Sequence, residues 1–439
     1  MMALFRDIGE LKPTASFEER IDWAARRDPI GHKVHLALAV FALTLIPLSS
    51  SLASIGSTPL LVYTLMRAPT IRHTWVGLLK NGSLLCLIGL YLWLAISLLW
   101  SPDPEQGIRL LRGTRFLLII PALVPLLRHA NLLAAAICLS VFIQNIAQMF
   151  EWGLSDEYFR GGGLDNHPGF TGLWFILATG ILITLPSPGR SPRILQRSSA
   201  IIPMVGITLS GARSILLGMT TGLFALFMSS VIRRSPGWKI TAASCVVLAG
   251  VLLAPTLRPE SAMNQRLAET ATGLRHIQNS ETGAPEVVPG THRFTWWKIG
   301  FRHWQDSWLI GEGLGSAENA IDNDPGILEI TEGGTTNLRM TRNDYHSLFV
   351  TAAAESGVIG LVLVTLWLTL VGFQLPNAGR LGAAVMIGFV GYTVFSVFNT
   401  TIFSGRVVCL PLVIMALSMH PLPESRTLSR AIADESPPC

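Results

Sequence analysis

The segment HSLFVTAAAESGVIGLVLVTLWLTLVGFQL, residues 346–375, decides the fold class of this chain. Polar residues crowd up to His346, and the chain then stays apolar to Leu375 with Glu355 as the only charged residue in between. A helix needs about 20 apolar residues to cross the hydrocarbon core of a bilayer. We therefore predict a transmembrane helix over residues 347–373, with a histidine at its entrance.

Apolar segments of this kind recur along the chain. The 439 residues are 50% hydrophobic and only 14% charged, whereas soluble proteins contain about 25% charged residues. Further spans are predicted near residues 34–50, 51–66, 82–100, 110–127, 130–150, 168–185, 200–210, 213–232, 240–256, 381–399 and 402–419. Together they make about twelve helices, so the sequence predicts an all-α integral membrane protein.

Basic residues alternate between the connecting loops, and this alternation predicts the orientation of the helices. Arginine and lysine are frequent in residues 1–33 and then in every second loop, so we expect both termini in the cytoplasm. The opposite loops are residues 101–109, 151–167, 210–213, 257–346 and 399–406. The predicted order is a cytoplasmic segment (1–33), transmembrane helices 1–9 (34–256), a long outer loop (257–346), helices 10–12 (347–419) and a cytoplasmic tail (420–439).

Charge and cysteine content argue against a nucleic-acid-binding protein, a disulfide-bonded protein and a zinc protein. The net charge of +5 is explained by basic loops at a membrane surface, so it indicates membrane lipids as neighbours and no nucleic acid. Four of the five cysteines lie in apolar spans and the fifth ends the tail, and no CxxC pair occurs. Neither a disulfide framework nor a zinc site is therefore indicated. Residues 1–33 are polar and charged, unlike a cleavable signal peptide.

The long loop 257–346 contains several polar motifs. In THRFTWWKIGFRHW (291–304), Phe294, Trp297, Phe301 and Trp304 follow at helical spacing, which predicts an amphipathic helix at the membrane interface. WLIGEGLGS (308–316) is glycine-rich but lacks the strand–turn–helix context of a nucleotide-binding loop. IDNDPG (321–326) contains a D-x-D pair, as metal-dependent glycosyltransferases do, although NDPG is also a plain turn. We predict no metal site.

His346 stands where the apolar helix begins. Asn343 or Asp344 can cap this helix and would place His346 in its first turn. The positive end of the helix dipole disfavours a protonated imidazole there and attracts phosphate. The sequence thus favours a neutral histidine that can accept a proton, and the alternative is a histidine that only anchors the helix at the interface.

Arg213 lies in a similar position in ITLSGARSILLGMTTGLF. Ser210 can cap the helix that follows, which places Arg213 in its first turn on the outer side. A guanidinium between apolar segments is costly and usually has a partner or a function, and arginine binds phosphate bidentately. An anionic lipid-linked substrate would suit these residues, and the alternative is an Arg213 that only reaches the interface as an anchor.

The order of the motifs resembles that of the O-antigen ligase family, which also includes polysaccharide polymerases and protein O-oligosaccharyltransferases. The motifs are SGAR (210–213) at a helix start, R-x-x-W (Arg293 to Trp296) opening a long loop, IGEGLGS (310–316), and HSL followed by ESGVIG (346–348 and 355–360). Two positions depart from the family pattern. Ser347 replaces the usual asparagine after the histidine, and Ser356 replaces the usual leucine of ELG.

The resemblance implies a membrane glycosyltransferase of the GT-C type in the bacterial inner membrane, with its active site facing the periplasm. The donor would be O-antigen polysaccharide on undecaprenyl pyrophosphate, and the acceptor would be a sugar of lipid A–core. The reaction would invert the anomeric carbon and need neither metal nor cofactor. His346 would be the base, and Arg213 and Arg293 would hold the pyrophosphate.

Other residues are candidates for contact with donor or acceptor. They are Arg160 in FRGGGLDNHPGF, Arg109 and Arg112 in a basic stripe near an outer helix end, Trp296, and Arg342. Each also has a plainer interpretation as a loop or anchor residue. Glu355 is half a helical turn out of phase with His346, so we expect it to face elsewhere and to pair with a structural partner.

Two alternatives remain open at the level of sequence. A polymerase or protein O-oligosaccharyltransferase of the same superfamily would share nearly every feature. A transporter would also carry charges within the membrane, but it would more often show helices broken at mid-bilayer, whereas these charges cluster at one face and in one loop.

The orientation is testable directly. A cysteine introduced at Asn279 of a cysteine-free variant should react with an impermeant maleimide in whole cells, because residues 257–346 are predicted to lie outside the cytoplasm. Labelling that appears only after lysis would contradict the orientation and the periplasmic substrate with it.

Overall fold

The computed structural model describes residues 11–12, 14–153, 162–165, 167–185, 190–232, 292–323, 344–375, 379–403 and 405–419, with isolated positions at 243, 246, 250 and 268. These residues are helical or form connecting turns and include no strand. The all-α class is therefore confirmed over the described part of the chain.

The α-helices vary from one turn to about seven turns. In chain order they are α1 (Phe17–Arg27), α2 (Pro29–Leu45), α3 (Ser50–Met66), α4 (Ala68–Trp75), α5 (Gly82–Ser97), α6 (Pro104–Leu111), α7 (Ile119–Leu123), α8 (Ala130–Gly153), α9 (Pro168–Thr184), α10 (Arg190–Ser198), α11 (Ile201–Ser210), α12 (Arg213–Ile232), α13 (His292–Asp306), α14 (Ser316–Asp322), α15 (Leu348–Gln374), α16 (Gly379–Val397) and α17 (Gly405–Ser418). Short 3-10 helices occur at Leu78–Lys80, Arg112–Leu118, Val124–His129 and Gly163–Asp165.

Two described helical segments, Pro104–Glu151 and Leu348–Gln374, are long and apolar enough to cross a membrane. A third is the pair Ala68–Lys80 and Gly82–Ser97, bent by 88°, if the pair is counted as one span. Shorter apolar helices of 10–17 residues accompany them. These helices agree with a membrane protein, whereas the number of about twelve spans and the GT-C fold stay predictions.

One predicted span has a different local structure. Residues 110–127 do not form one α-helix, because they pass through a 3-10 helix, the single turn of α7 and a second 3-10 helix. Pro121 and Pro125 lie in this stretch, and proline removes a helical hydrogen-bond donor. The predicted span 240–256 lies almost wholly outside the described residues.

Helix α16 packs closely and antiparallel against α12. A Cβ added to Gly218 would lie 3.0 Å from the Gly391 carbonyl oxygen, and one added to Gly222 would lie 3.0 Å from the Ile387 carbonyl oxygen. Residue numbers rise along one helix as they fall along the other, so the start of α12 lies beside the end of α16. Glycine allows this approach because it has no side chain to separate the backbones. Helix α9 also packs against α16.

Helix α15 is broken at Gly357, which has φ 66° and ψ −165°. In a continuous helix the Val358 N–H would donate to the Ala354 carbonyl. Here it donates to the Trp308 carbonyl at 2.9 Å, while the Ala354 carbonyl accepts from the Glu312 N–H at 2.9 Å. The glycine-rich loop 308–316 thus replaces the helical bond that the break removes.

Two glycines make this replacement possible. Gly311 has φ +72°, and a Cβ on it would lie 2.4 Å from the backbone carbon of Glu355. A Cβ on Gly357 would lie 2.2 Å from the Leu309 carbonyl oxygen. The motif IGEGLGS, which the sequence left without a function, is therefore explained by the close packing of backbone on backbone.

The same loop is also fastened to the end of α5. The Trp100 indole N–H donates to the Gly311 carbonyl at 3.1 Å. The Leu314 N–H donates to the Ser97 hydroxyl at 3.1 Å, and the Ser101 hydroxyl donates to the Leu314 carbonyl at 2.7 Å. Loop 308–316 therefore ties α5 to α15 and fixes where α13, which precedes the loop, lies on α15.

Substitution of Gly311 tests this arrangement. Gly311→Ala should destabilise the protein by on the order of 2–5 kcal/mol, because it combines left-handed backbone strain with overpacking. The matched control is Gly89→Ala in α5, where a Cβ would meet only the Leu363 side chain at 3.9 Å. Thermal unfolding in detergent should show a lower melting temperature for Gly311→Ala only. Equal melting temperatures for the two variants would contradict the packing described.

Candidate functional site

Several segments that the sequence assigns to the outer face meet at one end of the helix bundle. The Trp297 ring of α13 lies 5.9 Å from the Phe398 ring, between centroids, just beyond the end of α16. The Thr351 hydroxyl near the start of α15 lies 3.0 Å from the Thr400 hydroxyl. The antiparallel packing of α12 and α16 brings Arg213 to this end as well. Which side of a membrane it faces stays a prediction.

The start of α15 differs from the sequence expectation. The N-cap is Ser347, whose hydroxyl accepts from the Val350 N–H at 3.5 Å, so neither Asn343 nor Asp344 caps the helix. His346 therefore precedes the helix and does not lie in its first turn. The expectation was wrong because the chain makes a separate turn at His346 before the helix begins.

His346 has a left-handed backbone with φ 51°, and it is the only residue other than glycine with positive φ among those described. The Asp344 Oδ1 accepts a hydrogen bond from the His346 N–H at 2.6 Å. The same oxygen lies 3.3 Å from the His346 Nδ1. The side chains of His346 and Asp344 are 23% and 31% exposed to solvent, so the imidazole is accessible to a substrate.

Helix α13 packs on the start of α15 through a small contact surface. A Cβ on Gly300 would lie 2.5 Å from the Val350 side chain and 3.0 Å from the Tyr345 ring. Trp296 is fully buried in this contact, and its ring centroid lies 6.4 Å from that of His346. Trp296 thus packs beside the histidine, and its burial argues against the direct glycan contact that the sequence predicted.

The face of α13 that packs on the rest of the protein differs from the aromatic face that was predicted to lie at the membrane interface. Trp296 and Ile299 are buried, whereas Phe294 and Phe301 are 39% and 48% exposed. The helix is apolar on two sides, which a single aromatic stripe does not reveal. Its exposed phenylalanines agree with a helix at a membrane interface.

The two arginines proposed for pyrophosphate binding both lie in first turns of helices. Arg213 is the first residue of α12 and is half-buried. The turn before it contains Gly211 with φ 57°, and the Ser210 hydroxyl accepts from the Ala212 N–H at 3.3 Å. Arg293, also half-buried, is the second residue of α13. Both arginines therefore stand beside helix N-termini, which favour anions.

The other predicted contact residues differ in position. Arg109 lies in α6 with a side chain that is 61% exposed and 3.6 Å from the Glu105 carboxylate. Arg112 begins the 3-10 helix that follows and is exposed. Arg160 and Arg342 lie outside the described residues. Arg109 and Arg112 thus offer an exposed basic surface on the segment next to loop 308–316.

Glu355 has structural partners, as the sequence predicted. Its Oε1 accepts from the Gly315 N–H at 3.3 Å and from the Ala317 N–H at 3.4 Å. The side chain is buried at the N-terminus of α14. These two hydrogen bonds join α15 to the start of α14, so Glu355 helps to hold loop 308–316 in place.

The sequence analysis did not identify a second histidine–carboxylate pair. The His303 Nδ1 of α13 lies 2.6 Å from the Glu312 Oε1 of the glycine-rich loop. The pair lines an open groove of about 820 Å³ together with Trp100, Asp306, Trp308 and Asn319, among others. His346, Arg213 and Arg293 do not line this groove. No spacing rule links positions 303 and 312, since the loop brings them together.

Arg406 is a further residue that the sequence analysis passed over. Its side chain is fully buried, and it donates to the Leu48 carbonyl at 3.2 Å and the Thr171 hydroxyl at 2.8 Å. It thereby ties the α2–α3 turn to α9. An arginine between apolar segments is itself a signal for such a role.

No metal site emerges from the part of the chain that the structure describes. Within it, no group of three or more His, Cys, Asp or Glu side chains could hold a metal ion. Asp322 of the D-x-D pair ends α14, whereas Asp324 lies outside the described residues.

Apolar helices of membrane length, with a histidine and two arginines toward one end of the bundle, define a helical membrane protein with a candidate site at that end. Residues 198–365 match the family model described as O-antigen ligase. The matched segment runs from the end of α10 into α15 and includes Arg213, Arg293 and His346. The chain therefore contains a domain of the O-antigen ligase family. No curated protein sequence matches the chain.

Membership of this family indicates a glycosyltransferase-like enzyme of the O-antigen ligase and polymerase group. Its substrates are, in general terms, lipid-linked glycans and membrane lipids. The resemblance found in the sequence motifs is thereby confirmed at the level of the family.

Chelation tests the prediction that no metal takes part. Activity of the purified protein should survive EDTA, because positive charge at the pyrophosphate is expected from arginine. Loss on chelation that is restored by Mn²⁺ or Mg²⁺ would contradict this and return attention to Asp322 and Asp324.

Proposed function

We propose that the protein is an O-antigen ligase of the bacterial inner membrane. It transfers polysaccharide from undecaprenyl pyrophosphate to a sugar hydroxyl of lipid A–core in lipopolysaccharide biosynthesis. One observation carries the proposal: His346 opens an apolar helix of membrane length, within the matched segment and near the end of the bundle that holds Arg213. A carrier lipid would deliver its headgroup at this depth. The active site faces the periplasm, and both termini are cytoplasmic.

The proposed reaction is a single displacement at the anomeric carbon. The acceptor oxygen forms a bond to this carbon as the carbon–oxygen bond to pyrophosphate breaks, and the electron pair leaves with the pyrophosphate. The hydroxyl proton passes to His346. Its Nδ1 lies toward Asp344, and we assign acceptance of the proton to Nε2. Attack opposite the leaving group inverts the configuration.

The leaving group needs positive charge more than it needs a proton. Arg213 and Arg293, at two helix N-termini, would each hold pyrophosphate oxygens bidentately and stabilise the charge as it develops. With the pyrophosphate stabilised in this way, one base and correct positioning are sufficient.

The exposed basic residues have a different proposed role. Arg109 and Arg112, together with Arg160 and Arg342, would meet phosphates of lipid A–core or of the donor. Trp296 would act by packing against the His346 ring, because it is itself buried.

The acceptor separates the ligase from a polymerase or a protein O-oligosaccharyltransferase. Purified protein is incubated with polysaccharide-loaded undecaprenyl pyrophosphate and, in parallel, with lipid A–core, a second loaded carrier or an acceptor protein. A ligase transfers glycan to lipid A–core. Exclusive transfer to the second carrier or to protein would contradict ligase activity and favour the corresponding alternative.

Substitution of the three site residues should give two kinetic patterns. His346→Ala should lower the transfer rate by roughly 10²–10⁴-fold, the usual contribution of a general base, with donor affinity largely unchanged. Arg213→Ala and Arg293→Ala should weaken donor binding as well as turnover, and lysine should replace either poorly because it lacks the bidentate fork. Single-turnover transfer and donor affinity in nanodiscs measure both quantities.

Two other histidines serve as matched controls. His303→Ala removes the histidine paired with Glu312, and His167→Ala removes the one stacked 5.4 Å from Phe170. Neither substitution should reproduce the loss in rate. A folded His346→Ala variant with near wild-type transfer would show that His346 is only an anchor, and a large loss in one of the controls would identify the base instead.

A further inference from the structure

We infer that Asp344 is a positioning residue for His346. The inference rests on the proposed function, in which His346 is the base. Asp344 would fix the imidazole so that Nδ1–H donates to the carboxylate and Nε2 is presented to the acceptor hydroxyl. It would also stabilise the positive charge that the imidazole gains during transfer.

The backbone contact is the first part of the argument. A left-handed backbone is unfavourable for a residue with a Cβ, and such strain persists where the surrounding structure enforces it. Here the Asp344 Oδ1 accepts the His346 N–H at 2.6 Å, two residues along the chain. This side-chain turn holds His346 at φ 51° and directs its side chain before α15 begins.

The side-chain contact is the second part. The same Oδ1 lies 3.3 Å from the His346 Nδ1, and the buried ring of Trp296 lies 6.4 Å from the imidazole between centroids. A carboxylate on Nδ1 sets the tautomer and the orientation of a catalytic histidine. The aspartate remains ionised throughout, because the proton taken from the acceptor stays on Nε2.

Other charges lie on the elements packed against this turn. The charged or titratable side chains of these elements are Arg293, Lys298, Arg302, His303 and Asp306 on α13, Glu312 in the glycine-rich loop, Glu318 and Asp322 on α14, and Glu355 on α15. Asp344→Asn leaves all of them in place. A change in the pH dependence of this variant therefore reports the loss of the Asp344 charge.

The discriminating substitution is Asp344→Asn. Asparagine keeps an oxygen that can accept the His346 N–H, so the turn is retained, but it removes the charge. We expect kcat to fall roughly 10- to 100-fold, less than for loss of the base itself, with donor KM unchanged. The acid limb of the pH profile of kcat/KM should move to lower pH by about one unit, because an imidazole without its carboxylate partner binds a proton less readily.

The matched control is Asp306→Asn. It removes the same charge from an exposed position on α13, so it should leave both kcat and the pH profile as in the wild type. Asp344→Glu, which restores the charge on a longer side chain, should recover part of the shift in the pH profile. Circular dichroism and thermal unfolding of each variant establish that it is folded.

The outcomes separate this inference from the proposed function. If His346→Ala and Asp344→Asn both transfer normally, the assignment of His346 as the base fails and the inference with it, whereas ligase activity itself is retained. If His346→Ala is inactive while Asp344→Asn keeps the wild-type rate and pH profile, the base stands and the positioning role is overturned. A lower rate with an unmoved pH profile would also overturn it, because that result reports only a structural contribution.

Discussion

The exchange of backbone hydrogen bonds at Gly357 is the constraint on which the end of the molecule that carries His346 depends. Helix α15 gives up its bond between residues 358 and 354, and loop 308–316 supplies a partner to each group. An unpaired backbone group in an apolar setting is costly. The break in α15 therefore needs loop 308–316 to supply the missing hydrogen-bond partners, and the loop needs the break to find partners for its own backbone groups. The loop in turn is held by the end of α5 and by Glu355. As a result, α13, which precedes the loop in the chain, is held against the N-terminal end of α15.

This arrangement explains why a histidine can be held accurately at the edge of a membrane. The turn at His346 is fixed on one side by Asp344, on another by the buried ring of Trp296, and below by the rigid start of α15. Helix starts contribute partial positive charge at the same end of the bundle. A proton acceptor and anion-binding groups can then share one surface, which is what a displacement from a lipid pyrophosphate requires.

The sequence predicted the parts of the structure that depend on local pattern. Apolar length predicted the membrane class, and α12 and α15 begin within a residue of the predicted positions. The motif order from SGAR to ESGVIG identified the family. Glu355 has the structural partner that was expected, although the helical phase behind that expectation assumed that His346 lies within the helix.

The remainder depends on contacts between distant segments. The glycines at 311 and 357 fit each other across more than forty residues of sequence, and neither signals its partner. The same is true of His303 with Glu312 and of Arg406 with Thr171. The cap of α15 was misassigned because Asn343, Asp344 and Ser347 are all residue types that cap helices well, and only the turn at His346 decides between the described ones.

The central claim is a single displacement at the outer end, with one base and an arginine-bound pyrophosphate. The anomeric configuration of the transferred sugar, compared by NMR between the pyrophosphate-linked donor and the product on lipid A–core, tests it most directly. The account predicts inversion, because the acceptor attacks opposite the leaving group in one step. Retention would require a covalent glycosyl-enzyme intermediate or attack from the face of the leaving group, and either would contradict the proposed single in-line displacement.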